Sequence, residues 1–267
     1  MYTFSKPNLI TEPFTLPSNG KLYNGVVDPN ITLRAMTTLE ERMRLGTQSY
    51  YESMSAIVNE CIVDNKKPDG TYKIDSKYLT IFDFDAICIK LRILTYGPMY
   101  KASARCLKCG KQFLHTMDLR ECEFKFVPDD FAEPYDIGPL PISGDTLGCR
   151  FLRVKDRIDI DNQTQNFLVQ HPEFIGDASY TFEMEHRIMQ VNGEDIDSIM
   201  IHRYVENMVG GDSSYYHQKV DDGNSFGVQR VTTIECEDVN HALHPCDGIA
   251  ICAIRGNNEF FRTPDID

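Results

Sequence analysis

Arg105-Cys106-Leu107-Lys108-Cys109-Gly110-Lys111-Gln112-Phe113 is the stretch from which the fold of this chain is read. Two cysteines two residues apart, with glycine after the second, make the tight turn that aims two thiolates at one tetrahedral metal. A structural zinc takes four protein ligands, so this knuckle supplies half a site. Residues 100–105 and 113–119 on either side read as the strands of a hairpin. Where the other two ligands lie decides which distant parts of the chain meet.

Cys236 and Cys246 are the best partners. Cys236 follows the strand-like Gln229-Arg-Val-Thr-Thr-Ile234. Cys246 precedes the turn Asp247-Gly248 and the strand-like Ile249-Ala-Ile-Cys-Ala-Ile254. The order of strand, thiols, turn and strand thus recurs some 130 residues after the first knuckle. Facing each other, the two knuckles make a ribbon in which Cys106, Cys109, Cys236 and Cys246 surround a structural zinc with no position open to water. Spacing leaves alternatives. Nine residues, among them His241, His244 and Pro245, separate Cys236 from Cys246. His244 or Cys252 can replace one of the cysteines, and Cys122 allows a local site with Cys106, Cys109 and one histidine. A metal-free set of reduced thiols is the remaining reading.

The 267 residues suffice for one large domain or two smaller ones. Apolar content of 42% and charged content of 25% are those of an ordinary globular chain. A formal charge of -13 argues against binding nucleic acid or an anionic membrane, which draws on clustered Lys and Arg. No apolar run approaches the roughly 20 residues of a membrane span. The N-terminus lacks the basic and apolar regions of a secretory signal, so the expected setting is cytoplasmic. In that setting, nine cysteines favour metal binding or buried thiols over disulfides. Cys61 and Cys88, set among Ile, Val and Phe, read as small core hydrophobes.

The fold expected is α+β. Residues 1–35 read as an extended arm, kept open by Pro7, Pro13 and Pro17. Residues 36–122 and 229–267 read as a discontinuous core whose short antiparallel strands form a zinc-ribbon-like clamp, and residues 123–228 as a mainly helical insert. Thr37 or Thr38 caps a first helix, with Glu40 or Glu41 placed for a capping box. Met54, Ile57, Val58, Cys61 and Ile62 share one face of a helix over residues 51–63. A strongly apolar helix over residues 83–95 ends at Tyr96-Gly-Pro. Residues 180–191 suit helix or strand, and residues 195–209 have helical spacing. Gly210-Gly211 stops that helix, and Asp212 or Ser213 caps another.

Catalytic signatures are missing: there is no phosphate-binding glycine loop, no Gly-x-Ser-x-Gly and no His-Glu-x-x-His. Asp156, Asp159 and Asp161 lack the glycine and glutamate of a calcium loop and read as a solvated face. His171, His186, His202 and His217 read as surface or capping residues. Tyr50-Tyr51 and Tyr215-Tyr216 suit a partner interface or core packing equally.

The order of motifs resembles the base plate family of T-even-like bacteriophages. The stretches that carry the resemblance are Leu16-Pro-Ser-Asn-Gly-Lys-Leu-Tyr23 with Ile31-Thr-Leu-Arg-Ala-Met-Thr-Thr-Leu-Glu-Glu41, then Tyr96-Gly-Pro-Met-Tyr100 before Cys106, Met117-Asp-Leu119, and Asn258-Glu-Phe-Phe-Arg-Thr-Pro264. In that family the C-terminal cysteines form a compact Cys-x-x-Cys, from which the nine-residue gap here departs. The resemblance implies a non-enzymatic structural subunit of a contractile tail's baseplate hub that contacts other baseplate and tail proteins. A hub assembly chaperone absent from the mature virion is the first alternative, and a zinc-ribbon nucleic-acid module the second. The implied location is the virion tail baseplate, or the host cytoplasm during assembly.

Overall fold

Helices whose apolar residues recur every three or four positions build the main core. The computed structural model describes residues 9–46, 49–223, 226–229, 231–236, 246–254 and 258–261. Helices and short antiparallel sheets are mixed throughout, as the α+β reading expects. Strands β1 (Thr11–Thr15) and β2 (Asn30–Arg34) form a hairpin with Phe14 opposite Ile31. Helices α1 (Thr38–Arg44), α2 (Tyr50–Cys61) and α3 (Ile81–Tyr96) follow. Met54, Ile57, Val58 and Cys61 of α2 pack with Phe84, Ile87, Cys88 and Leu91 of α3, all essentially buried. Each such side chain contributes about 1.5–3 kcal/mol by leaving water. Cys61 and Cys88 are the core hydrophobes expected, and burial pushes the Cys61 thiol up to about 12.

The extended arm expected over residues 1–35 is corrected for its described part. Leu16, Tyr23, Ile31 and Leu33 are buried in the main core. The Ser18 N–H donates to Asp83 Oδ1 at 2.8 Å and the Tyr23 hydroxyl to Asp83 Oδ2 at 2.5 Å, so the turn seats on the first turn of α3. Prolines keep a chain extended only where nothing local competes, and here a buried carboxylate gathers it. Burial pushes the Asp83 carboxyl up, against the hydrogen bonds from Ser18 and Tyr23.

The α1 cap is a capping box: Thr37 Oγ1 accepts from Leu39 N–H, and Glu40 accepts from Thr37 N–H at 2.7 Å. Desolvation opposes the Glu40 charge, but Arg34 at 2.8 Å and Thr37 outweigh it and hold the carboxyl at about 2.

Beyond α3, β3 (Met99–Cys106) and β4 (Gln112–Asp118) form the expected hairpin. The short strands β5 (Phe124–Lys125), β6 (Tyr135–Ile137) and β7 (Leu147–Cys149) precede α4 (Val154–Gln170) and α5 (Ser179–Arg187). Then come β8 (Ile188–Val191), β9 (Glu194–Asp195), α6 (Ser198–Glu206) and α7 (Gly210–Gly223). Residues 180–191 are thus helix and then strand. The segment read as mainly helical also holds the antiparallel sheet β6-β7-β8-β9, and Met184, Ile188, Ile201, Val205 and Tyr216 share a second core with it. Val154 and Ile158 of α4 belong instead to the main core.

Two local readings are revised, and one pair of alternatives is decided. Asp212 does not cap a helix at its own position: α7 starts at Gly210, and the Asp212 carboxylate accepts from Ile142 and Ser143 N–H. Asp156 is buried rather than solvated, because the Arg150 guanidinium grips it through two contacts of 2.8 Å and Arg153 N–H caps it. Tyr51 packs on Phe84 and Tyr216 lies inside the second core, so these aromatic residues serve packing.

The chain closes with β10 (Gly227–Val228), β11 (Val231–Glu235) and β12 (Ile249–Ala253). β11 and β12 join the β3–β4 hairpin in one antiparallel sheet of order β11-β12-β3-β4. Arg92 of α3, 1% exposed, ties this end to the main core by donating to the carbonyls of Phe260, Gly97 and Met99. Among the described residues no helix is long and apolar enough to cross a membrane.

Candidate metal centre

The sheet register fixes where the thiols go. Ala250 of β12 lies opposite Cys106, the last residue of β3. β12 also pairs with β11, so residues just before β12 and just after β11 come to the same end of the sheet as the β3–β4 turn. Backbone hydrogen bonds extend that frame past the strands: Cys236 N–H donates to Gly248 O, Leu107 N–H to Ile249 O and Cys106 N–H to Lys111 O, each at 2.9 Å. Gly110 adopts φ +72° in the β3–β4 turn, a backbone state open to glycine at little cost.

Cys106, Cys109, Cys236 and Cys246 converge there, with Cys106 buried and the others half-buried. Their four sulfurs all lie within 4.8 Å of one another. Cys106 Sγ stands 3.8 Å from Cys246 Sγ, and Cys109 Sγ 3.8 Å from Cys236 Sγ. Four sulfurs held about 2.3 Å from a common centre are roughly 3.8 Å apart, so the spacing fits a tetrahedral four-thiolate cage. The pairs are separated by 140 and 127 residues along the chain.

The backbone around the sulfurs favours thiolate. Cys109 and Lys108 N–H both donate to Cys106 Sγ at 3.4 Å, and they draw that thiol down to about 6. The Gly248 N–H favours the Cys246 thiolate likewise, but desolvation and the sulfurs of Cys106 and Cys109 outweigh it and push that thiol up. A Cys246 thiol pushed up by neighbouring sulfurs is a group whose thiolate form a cation would favour.

Gly248, legible in the sequence only as part of a turn, stands against two of the sulfurs. A Cβ there would stand 2.6 Å from Lys108 Cβ, 2.8 Å from Cys106 Sγ and 3.2 Å from Cys246 Sγ. Only a hydrogen fits between the two knuckles. Its place in Cys246-Asp247-Gly248, which matches Cys109-Gly110 in type, was the available signal. Lys108 and Asp247 form an exposed ion pair from one knuckle to the other.

The competing ligands fall elsewhere. Cys122 packs against the main core. Cys252 lies on β12, buried among Ala102, Ala104 and Ala250, outside the four-sulfur group. His241 and His244 lie outside the described residues. His202, read as a surface residue, is half-exposed between Glu185 and Glu206, while His186 is less exposed and faces Asp156. The cysteine cluster is the one group among the described residues whose His, Cys, Asp or Glu atoms converge as metal ligands do.

Curated proteins and solved structures gave no match to the chain. A family model described as T4 bacteriophage base plate protein matches residues 7–207, about three quarters of the chain. The matched span includes Cys106 and Cys109. It ends before Cys236, Cys246 and the Asn258-to-Pro264 stretch.

Proposed function

The chain belongs to the T4 bacteriophage base plate protein family, and on that premise we propose that it is a non-enzymatic structural subunit of the baseplate hub in the tail. In this reading it contacts other baseplate and tail proteins, and a zinc ion held by Cys106, Cys109, Cys236 and Cys246 locks its scaffold. The observation that carries the zinc is the convergence of four thiols from two chain segments at tetrahedral spacing. Zinc with four thiolates is closed to water and performs no chemistry, so it acts as a cross-link. These residues bind and orient: the thiolates neutralise the ion, and the N–H groups of Lys108, Cys109 and Gly248 spread the sulfur charge. The core over residues 36–122 and 229–267 is thereby joined at the ribbon. A formal charge of -13 favours protein neighbours over nucleic acid.

The test is a phage carrying a nonsense mutation in this gene. Its lysates should contain no complete baseplates, and mass spectrometry of wild-type particles should find the protein at fixed stoichiometry. Complete baseplates in the mutant would refute the role. Incomplete baseplates in the mutant, with the protein missing from wild-type particles, would replace a resident subunit by an assembly chaperone.

A further inference from the structure

The four-stranded sheet has two edges, and they face each other. Hydrogen bonding in an antiparallel ladder alternates, so the bonds at its ends fix which residues face inward. Cys106 N–H bonds Lys111 O and Leu119 N–H bonds Pro98 O. With the register Tyr100 opposite Met117 and Ala102 opposite His115, the β4 residues Leu114 and Thr116 therefore turn N–H and C=O away from β3. At the other edge Cys236 N–H bonds Gly248 O, so Val231 and Thr233 turn theirs away from β12. Among the described residues no strand pairs with either edge.

Both edges line one cavity of about 790 Å³, with Thr116 and Met117 on one wall and Thr233 and Ile234 on the other. The seam is closed at one end where Gln229 N–H reaches Glu123 O at 3.3 Å beside the β5–β10 ladder. It is closed at the other end by the Cys109 and Cys236 sulfurs. The two edges of the sheet thus flank one open cavity. Asp118, Glu121 and Glu123 also line it, Asp118 paired with Arg120, and no described lining residue is Lys or Arg.

We propose that this seam receives an extended segment of another baseplate protein as an added strand on the β4 edge. The segment's apolar side chains lie over Met117 and Ile234, and a Lys or Arg meets Glu121 and Glu123. Main-chain bonds to Leu114 and Thr116 give affinity, and the acidic end fixes direction and selects a basic residue. The source of the segment rests on the baseplate reading; the seam itself does not.

The probe is a set of 15-residue peptides tiled across the other baseplate and tail proteins of the same phage. At least one should bind the metal-loaded full chain and slow amide exchange at Leu114 and Thr116. Thr116→Pro should weaken it at least tenfold while leaving the fold intact, because that N–H faces the seam and not β3. Glu121→Lys with Glu123→Lys should weaken it and flatten its salt dependence. If Thr116→Pro does not fold, exchange protection on the unmodified chain decides. Peptides that bind without protecting β4, or no binding at all by a protein present in particles, would overturn the seam and leave the baseplate role standing. A protein that plays no part in baseplate formation would overturn that role and with it the segment's source.

Discussion

The main core and the curled sheet are held by different means. The core buries Phe84, Ile57, Leu91, Leu79 and Met54 completely, and large apolar side chains supply its stability. The buried residues of the sheet are Ala102, Ala104, Cys106, Ala250 and Cys252, with little area to remove from water. Small side chains let the sheet curl, but they leave it short of burial energy. A region that cannot be closed by apolar area needs a cross-link, and the four thiols stand where one would act.

Four substitutions probe this contrast, from the largest expected effect downward. Cys106→Ser should let β11 and β12 lose exchange protection first, with the sheet destabilised by at least about 3 kcal/mol. The core helices α2 and α3 should keep theirs. Simultaneous loss in both regions would show that the two are not separately stabilised.

Leu91→Ala gives the complementary result. A fully buried leucine replaced by alanine should cost about 2–5 kcal/mol of global stability, read by denaturant unfolding. Metal affinity should be unchanged. A weakened metal site in this variant would mean that core packing positions the thiols.

Gly248→Ala is directed at the sheet alone. The added methyl meets Lys108 Cβ and Cys106 Sγ, so the knuckles must move apart. Competition with a chelator should show metal affinity reduced roughly 10- to 100-fold. Unaltered affinity would remove Gly248 from the design of the site.

Glu40→Gln is the mildest. It weakens the α1 cap and the bond to Arg34 by about 1 kcal/mol. The folded carboxyl is held at about 2, below its unfolded value, so its contribution is complete above roughly pH 4.5 and fades as pH falls towards 2. Acid melts of the two proteins should therefore converge with falling pH. A constant difference between pH 6 and pH 2.5 would contradict the assignment.

What the sequence discloses follows the range of the forces involved. Helices α2 and α3 and the β3–β4 hairpin are written in local periodicity, and the cysteine pairs in thiol chemistry. The return of residues 11–35 onto the core depends on Asp83, more than sixty positions from Ser18, and no local pattern announces it. The strands β6 to β9 run only two to four residues, too short for alternation to emerge. Asp156 looked solvated among other charges because its neighbours in sequence are polar, while its partner Arg150 approaches from outside α4. Gly248 was legible as a turn, but its closeness to two sulfurs belongs to the assembled sheet.

Four converging thiols imply one metal that joins two distant chain segments. Metal analysis of the purified protein beside its Cys106→Ser and Cys236→Ser variants tests it most directly. About one zinc per chain, lost in both variants, is the result expected of a four-thiolate site. Zinc lost from Cys106→Ser but retained in Cys236→Ser, or no zinc in the unmodified protein, would contradict it.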